Sequence, residues 1–142
     1  MADSIPTTAS VEVACALIDG GEGRFLACRR AAHVRDAGAW EFPGGKVEEG
    51  ESPAECVARE LREELGVVAS VAAPVAAVTA VVSGRFLTLH ACPAVLREEP
   101  RGSTDHDRFA YLSLDEFLRM PITSAERSLL ELLAARTVGL PD

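Results

Sequence analysis

Basic residues are scarce in this chain: 14 Lys and Arg stand against 22 Asp and Glu, for a formal net charge of −8. Binding along a nucleic-acid polymer needs clustered cations, so that class of partner is excluded, whereas a small nucleotide arriving with metal ions is not. Long apolar runs are missing too. Residues 67–82, VVASVAAPVAAVTAVV, form the longest apolar tract, but Pro74 and small side chains interrupt it. It falls short of the roughly 18 apolar residues of a membrane span and reads as a buried strand with a lead-in loop. The four cysteines, Cys15, Cys28, Cys56 and Cys92, include no C-x-x-C pair and sit inside periodic segments, as reduced core thiols do. No basic residue precedes Arg24 and no signal-peptide pattern follows Met1, so the expected location is the cytoplasm. Repeats and low-complexity tracts are also absent. The 142 residues therefore read as one globular domain, with residues 1–9 as a loose polar leader.

Apolar segments and turn signals set the order of elements. VEVACALI and RFLACRR flank the glycine-rich DGGEG as a hairpin, and a short strand around Trp40 to Phe42 leads into Pro43-Gly44-Gly45. AAVTAVV and RFLTLHACPAVL flank Ser83-Gly84 as a second hairpin. REEPRGSTDHD is a charged loop before the strand RFAYLSL, and capping-box spacing starts helices at Ser113 with Glu116 and at Thr123 with Glu126. Strands on both sides of one central helix, with more helix at the C-terminus, predict an α/β sandwich with a mixed sheet.

The central helix carries the chemistry. Ser52 and Glu55 form an S-x-x-E capping box, Pro53 takes the first helical position and Gly66 follows the last turn. At about 100° per residue, Glu60, Glu63 and Glu64 share one arc, while Ala54, Val57, Ala58, Leu61 and Leu65 fill the adjacent one. One face packs and the other can hold cations. Like charges three and four residues apart cost a few tenths of a kcal/mol each, which Arg59 can offset through Glu55 and Glu63. Hard divalent cations prefer such carboxylate oxygens and keep waters that suit phosphate chemistry. A solvated charged face is the competing reading of the same helix.

Residues 45–67, GKVEEGESPAECVARELREELGV, resemble the signature of the Nudix hydrolases: Gly, five residues, Glu, seven residues, then R-E-U-x-E-E-x-G-U with U apolar. Gly45, Glu51, Arg59, Glu60, Leu61, Glu63, Glu64, Gly66 and Val67 meet every fixed position. The resemblance implies an α/β/α sandwich and cleavage of a nucleoside diphosphate linked to another group. It also implies Mg²⁺ or Mn²⁺ held by Glu60, Glu63, Glu64 and the Gly45 carbonyl, with Arg59 orienting Glu60. Glu51 is read as anchoring the loop to the helix.

Outside this segment the chain resembles the MutT-type nucleoside triphosphate pyrophosphohydrolases. That likeness implies substrate-side roles for Arg29, Arg30, Phe42 and Arg85, and a catalytic role for Asp105, one methylene shorter than the glutamate usual there. Glu126 stands where MutT-type proteins place a base-reading asparagine. An ionised carboxylate only accepts hydrogen bonds, which suits the exocyclic amine of cytosine, so CTP or a modified dCTP competes with 8-oxo-dGTP as substrate. Bland alternatives accompany each: surface charge for Arg29 and Arg30, core for Phe42, exposed acid for Asp105, helix cap for Glu126. His106 is read as a solvated neighbour of Asp105, Trp40 as packing at the cleft wall, and Tyr111 as packing in the last strand.

Three functions compete: a pyrophosphohydrolase, a non-catalytic nucleotide-sensing Nudix module, and a structural domain with an acidic helix. The intact motif favours the enzyme. Other Nudix branches carry marks that this chain lacks, including a downstream tyrosine and an SQPWPFPxS motif, which leaves a nucleoside triphosphate ahead of other nucleoside diphosphate derivatives.

Overall fold

The computed structural model describes the backbone of residues 10–139 and side chains as far as Arg136. The leader expected over residues 1–9 lies outside the described residues. The chain runs β1 (Val11–Gly21), β2 (Arg24–Arg30), β3 (Trp40–Glu41), β4 (Gly44–Lys46), α1 (Pro53–Leu65), β5 (Ala69–Val71), β6 (Ala76–Val82), β7 (Arg85–Leu96), β8 (His106–Ser113), α2 (Leu114–Leu118) and α3 (Ser124–Gly139).

β1 organises the sheet. Val11 to Ile18 pair in parallel with Leu87 to Ala94 of β7, and the other pairings are antiparallel. The sheet follows the order β3-β2-β1-β7-β5, with β8 on β2, β4 on β1 and β6 on β7. Successive side chains of β1 point to opposite faces. Ala14, Ala16 and Ile18 pack with Cys56, Val57, Leu61 and Leu65 of α1, while Cys15 and Leu17 pack with Phe117 of α2 and Leu129 and Leu130 of α3. Burial on both faces explains why Val13 to Ile18 of β1 read as an unbroken apolar run. The result is the expected α/β/α sandwich with a mixed sheet.

β1 and β2 pair only near their turn, at Asp19–Phe25 and Gly21–Arg24. Beyond it they diverge, and the chain from Trp40 to Lys46 fills the gap. Ala16 N–H donates to the Pro43 carbonyl at 2.8 Å, and β4 continues alongside β1. Gly44 lies so close to the backbone of Ala14 and Cys15 that a Cβ there would overlap them. The divergence of β1 from β2 therefore opens a wedge beside the acidic helix.

Local readings around α1 hold in detail. Ser52 and Glu55 form both bonds of the capping box, and Gly66 closes the helix in the left-handed region at φ 67°. Both hairpins form, and all four cysteines are free and buried. Two expectations are corrected. The stretch before Pro74, expected as a lead-in loop to one buried strand, holds the short strand β5, which like β6 pairs with β7. β6 alternates between partly buried and exposed positions because only one of its faces packs on the core, leaving Val81 exposed. Tyr111 is also exposed, its ring lying across Gly20 where no Cβ would fit. Among the described residues, no helix is long and apolar enough to cross a membrane.

Candidate active site

Arg59 ties the acidic helix to the loop before it. Its guanidinium donates to both Glu51 oxygens at 2.7 and 3.1 Å, to the Lys46 carbonyl at 3.0 Å, to Glu63 at 3.1 Å and to Glu60 at 3.2 Å. This places Glu51 where its motif position predicts, as a loop anchor; it also accepts the Glu48 N–H at 2.9 Å. Hydrogen bonds from Arg59 hold the Glu51 carboxyl down at about 2, and its carboxylate partners hold the Arg59 guanidinium well above its ordinary value. Glu55, expected to share Arg59, instead spends its carboxylate on the capping box.

Glu60 is the enclosed member of the trio. Its carboxylate lies so close to Gly45 that a Cβ on that glycine would overlap it. Burial pushes its pKa up, partly offset by Arg59 and reinforced by Glu64 and Glu63. Glu63 is exposed beside Arg59, and Glu64 accepts a hydrogen bond from Ser103 at 2.9 Å. Among the described residues, no three His, Cys, Asp or Glu side chains converge into a preassembled metal cluster. The donor set nonetheless fits a hard divalent cation: three carboxylates share one helical arc, and the most enclosed one abuts the glycine backbone that the motif pairs with it. We expect Gly45→Ala to displace the Glu60 carboxylate and weaken Mn²⁺ binding about tenfold or more, read by titration of the metal. Wild-type affinity would show that the close approach is dispensable.

A cavity of about 230 Å³ opens in the wedge, lined by Val13, Cys15, Arg30, Glu41, Phe42, Gly45, Lys46, Leu89 and Glu126, among others. Phe42 is core, 4.8 Å from Phe117 between ring centroids, and its backbone N–H donates to Glu126 at 3.0 Å. Glu126 is buried, and burial pushes its carboxyl up to about 8. Its N–H donates to Thr123 Oγ1 at 3.3 Å, but the carboxylate turns into the fold, so only half of the expected capping box forms. A carboxyl that such burial keeps protonated both donates and accepts, where the ionised form only accepts.

Arg30 lines this cavity and reaches both Glu41 oxygens at 3.2 Å. Arg85, at the start of β7, lines an adjoining cleft of about 450 Å³ that shares Val13, Arg30 and Lys46 with the first. The remaining candidates lie elsewhere. Arg29 pairs with Asp107 at 2.7 Å on the surface, as the bland reading has it. Asp105 faces His33 at 3.8 Å with its side chain about half exposed, while its N–H donates to Ser103, the residue that bonds Glu64. Trp40 is buried at the cavity's edge strand.

His106 corrects the sequence reading outright. It is buried, with Nε2 2.8 Å from Glu41 and Nδ1 3.2 Å from Ser103. A bulge in β8 is responsible: Arg29 pairs with Arg108 and Arg30 with His106, leaving Asp107 as the extra residue. The two-residue alternation is broken there, and His106 joins Phe109, 6.2 Å away between ring centroids. Glu41 was missed as well, since a lone acid between Trp40 and Phe42 carries no pattern that marks a cavity wall.

The family model described as NUDIX domain matches residues 9–133, and the chain belongs to the Nudix family. Within that family it is similar to the CTP pyrophosphohydrolase of Escherichia coli (strain K12), 38% identical over 131 residues, spanning 92% of this chain and 96% of that one. The 8-oxo-dGTP diphosphatase of the same organism is 42% identical over only 57 residues, 40% of this chain and 44% of that enzyme. The solution structure of the E. coli ORF135 protein matches with a TM-score of 0.75 at 38% identity, covering 93% of this chain and 94% of that one.

Proposed function

We propose that the chain is a metal-dependent, MutT-like pyrophosphohydrolase that cleaves a cytosine nucleoside triphosphate, CTP or a modified dCTP, to the monophosphate and pyrophosphate. The observation that carries the reading is that Glu126 and Glu41 line one cavity that also touches Gly45. Base and phosphates can then occupy the two ends of a single wedge. A protonated Glu126 offers a hydroxyl to cytosine N3 and a carbonyl oxygen to the exocyclic amine, while Glu41, engaged by Arg30 and His106, adds a second acceptor. Hydrogen bonds of this pattern also exist on guanine. The likeness to a CTP pyrophosphohydrolase across 92% of the chain, against 40% for an 8-oxo-dGTP diphosphatase, tips the choice to cytosine.

Glu60, Glu63, Glu64 and the Gly45 carbonyl would hold Mg²⁺ or Mn²⁺, which supplies charge neutralisation at the phosphates and activation of water. Arg59 holds Glu60 in place and ties the loop to the helix. Arg30, Arg85 and Lys46 give the adjoining cleft the cations that a triphosphate needs. Asp105, whose N–H meets the Ser103 that bonds Glu64, is the loop acid that would assist at the metals.

Steady-state comparison of CTP, ring-substituted dCTP and 8-oxo-dGTP tests the base assignment; a higher kcat/KM for 8-oxo-dGTP would reverse it. Glu126 adds a pH signature. Gln also donates and accepts, so at pH 7 Glu126→Gln should stay within about threefold of wild type, whereas Glu126→Leu should lose about tenfold or more in kcat/KM. As pH rises through about 8 the wild type loses its donor, and the wild-type to Gln activity ratio should fall. Stability follows the same sign. Between the ordinary carboxylate range and about 8, the folded chain keeps a proton that the unfolded chain has lost. Wild-type stability relative to Glu126→Gln should therefore decline across that window, on the order of a few kcal/mol. Arg30, Glu41 and Lys46 face the same cavity and set its field. Ratios and melting differences that do not vary with pH would show Glu126 ionised throughout.

A further inference from the structure

His106 sits where two functional carboxylates on different elements have to be held. Its side chain is only 4% exposed, and both ring nitrogens are engaged. On one side Nε2 meets Glu41 of β3, itself bound from behind by Arg30. On the other side Nδ1 meets Ser103 Oγ, which donates to Glu64 of α1 and accepts the Asp105 N–H at 3.1 Å. A continuous hydrogen-bonded line therefore joins the cavity wall to the acidic helix. Burying an imidazole beside Phe109 is costly unless each polar atom finds a partner, and the bulge at Asp107 brings the ring to these two.

We propose that Ser103 and His106 are positioning residues: Ser103 presents the Glu64 carboxylate to the cation, and His106 fixes Ser103 and Glu41 together. One residue thereby sets both the metal face of α1 and the wall of the Glu126 cavity. The proposal rests on Glu64 being a metal ligand. Groups that orient ligands in this way commonly change metal affinity by about 10- to 100-fold when removed.

The test is Mn²⁺ uptake by the full-length, nucleotide-free protein, followed by the electron paramagnetic resonance signal of free Mn²⁺, with KM measured at saturating metal. Ser103→Ala should weaken Mn²⁺ binding about tenfold with KM held, and Ser103→Thr, which keeps the hydroxyl, should restore it. The two amide variants of His106 divide its roles. In His106→Gln the amide reaches the Nε2 position, so Glu41 stays held and the Mn²⁺ defect should match Ser103→Ala. In His106→Asn the amide reaches the Nδ1 position, so Mn²⁺ affinity should be kept and KM should rise about tenfold. Wild-type Mn²⁺ affinity in both Ser103→Ala and His106→Gln, whatever their melting temperatures, would overturn the proposal while leaving the metal-site reading intact. A wild-type protein that takes up no Mn²⁺ would overturn both.

Discussion

Glu60→Gln is expected to lower kcat by about a hundredfold or more, a loss of at least roughly 2.7 kcal/mol of transition-state stabilisation. The substitution keeps the shape that packs on Gly45 and removes only the charge. Folding should survive it. Burial and the neighbouring Glu64 and Glu63 already disfavour the ionised Glu60 carboxyl, so the metal-free variant should melt no lower than wild type. The rise in melting temperature on adding Mn²⁺ should shrink in the variant. An inactive variant that is also unfolded would leave the assignment without support, and near-wild-type turnover would remove it.

Arg59→Lys is the second large effect. Lysine keeps the charge, but one ammonium cannot serve both Glu51 oxygens, the Lys46 carbonyl, Glu60 and Glu63 at once. Turnover should fall by about ten- to a hundredfold, because Glu60 loses its orienting partner and the loop loses its anchor. The melting temperature at neutral pH should drop as well. The Glu51 carboxyl is held down at about 2 chiefly by Arg59, so this stabilisation is present above the ordinary carboxylate range and fades as pH falls toward 2. The gap in melting temperature between wild type and variant should narrow on acidification. A gap that widens in acid would contradict the pairing.

What could be read from the sequence was local. The caps of α1, the arc of Glu60, Glu63 and Glu64, and the anchoring by Glu51 all follow from spacings within about one motif, where helix geometry fixes which side chains meet. The central apolar run of β1 likewise reports burial on both faces. Contacts across the fold left no such trace. His106 meets Glu41 across 65 positions and Ser103 meets Glu64 across 39, and the bulge at Asp107 cancels the alternation that would have hinted at the first. The upward push on the Glu126 pKa is hidden for another reason. Residue type gives its pKa in water, while burial behind Phe42 decides it in the fold. Asp105 shows the opposite case: its family position was recognisable from the sequence, while the approach of its carboxylate to His33 was not.

Product analysis tests the central claim most directly. CTP incubated with the full-length protein and Mg²⁺ should yield CMP and pyrophosphate as first products, with turnover abolished by excess EDTA. Orthophosphate and CDP as first products, or undiminished turnover in EDTA, would contradict it.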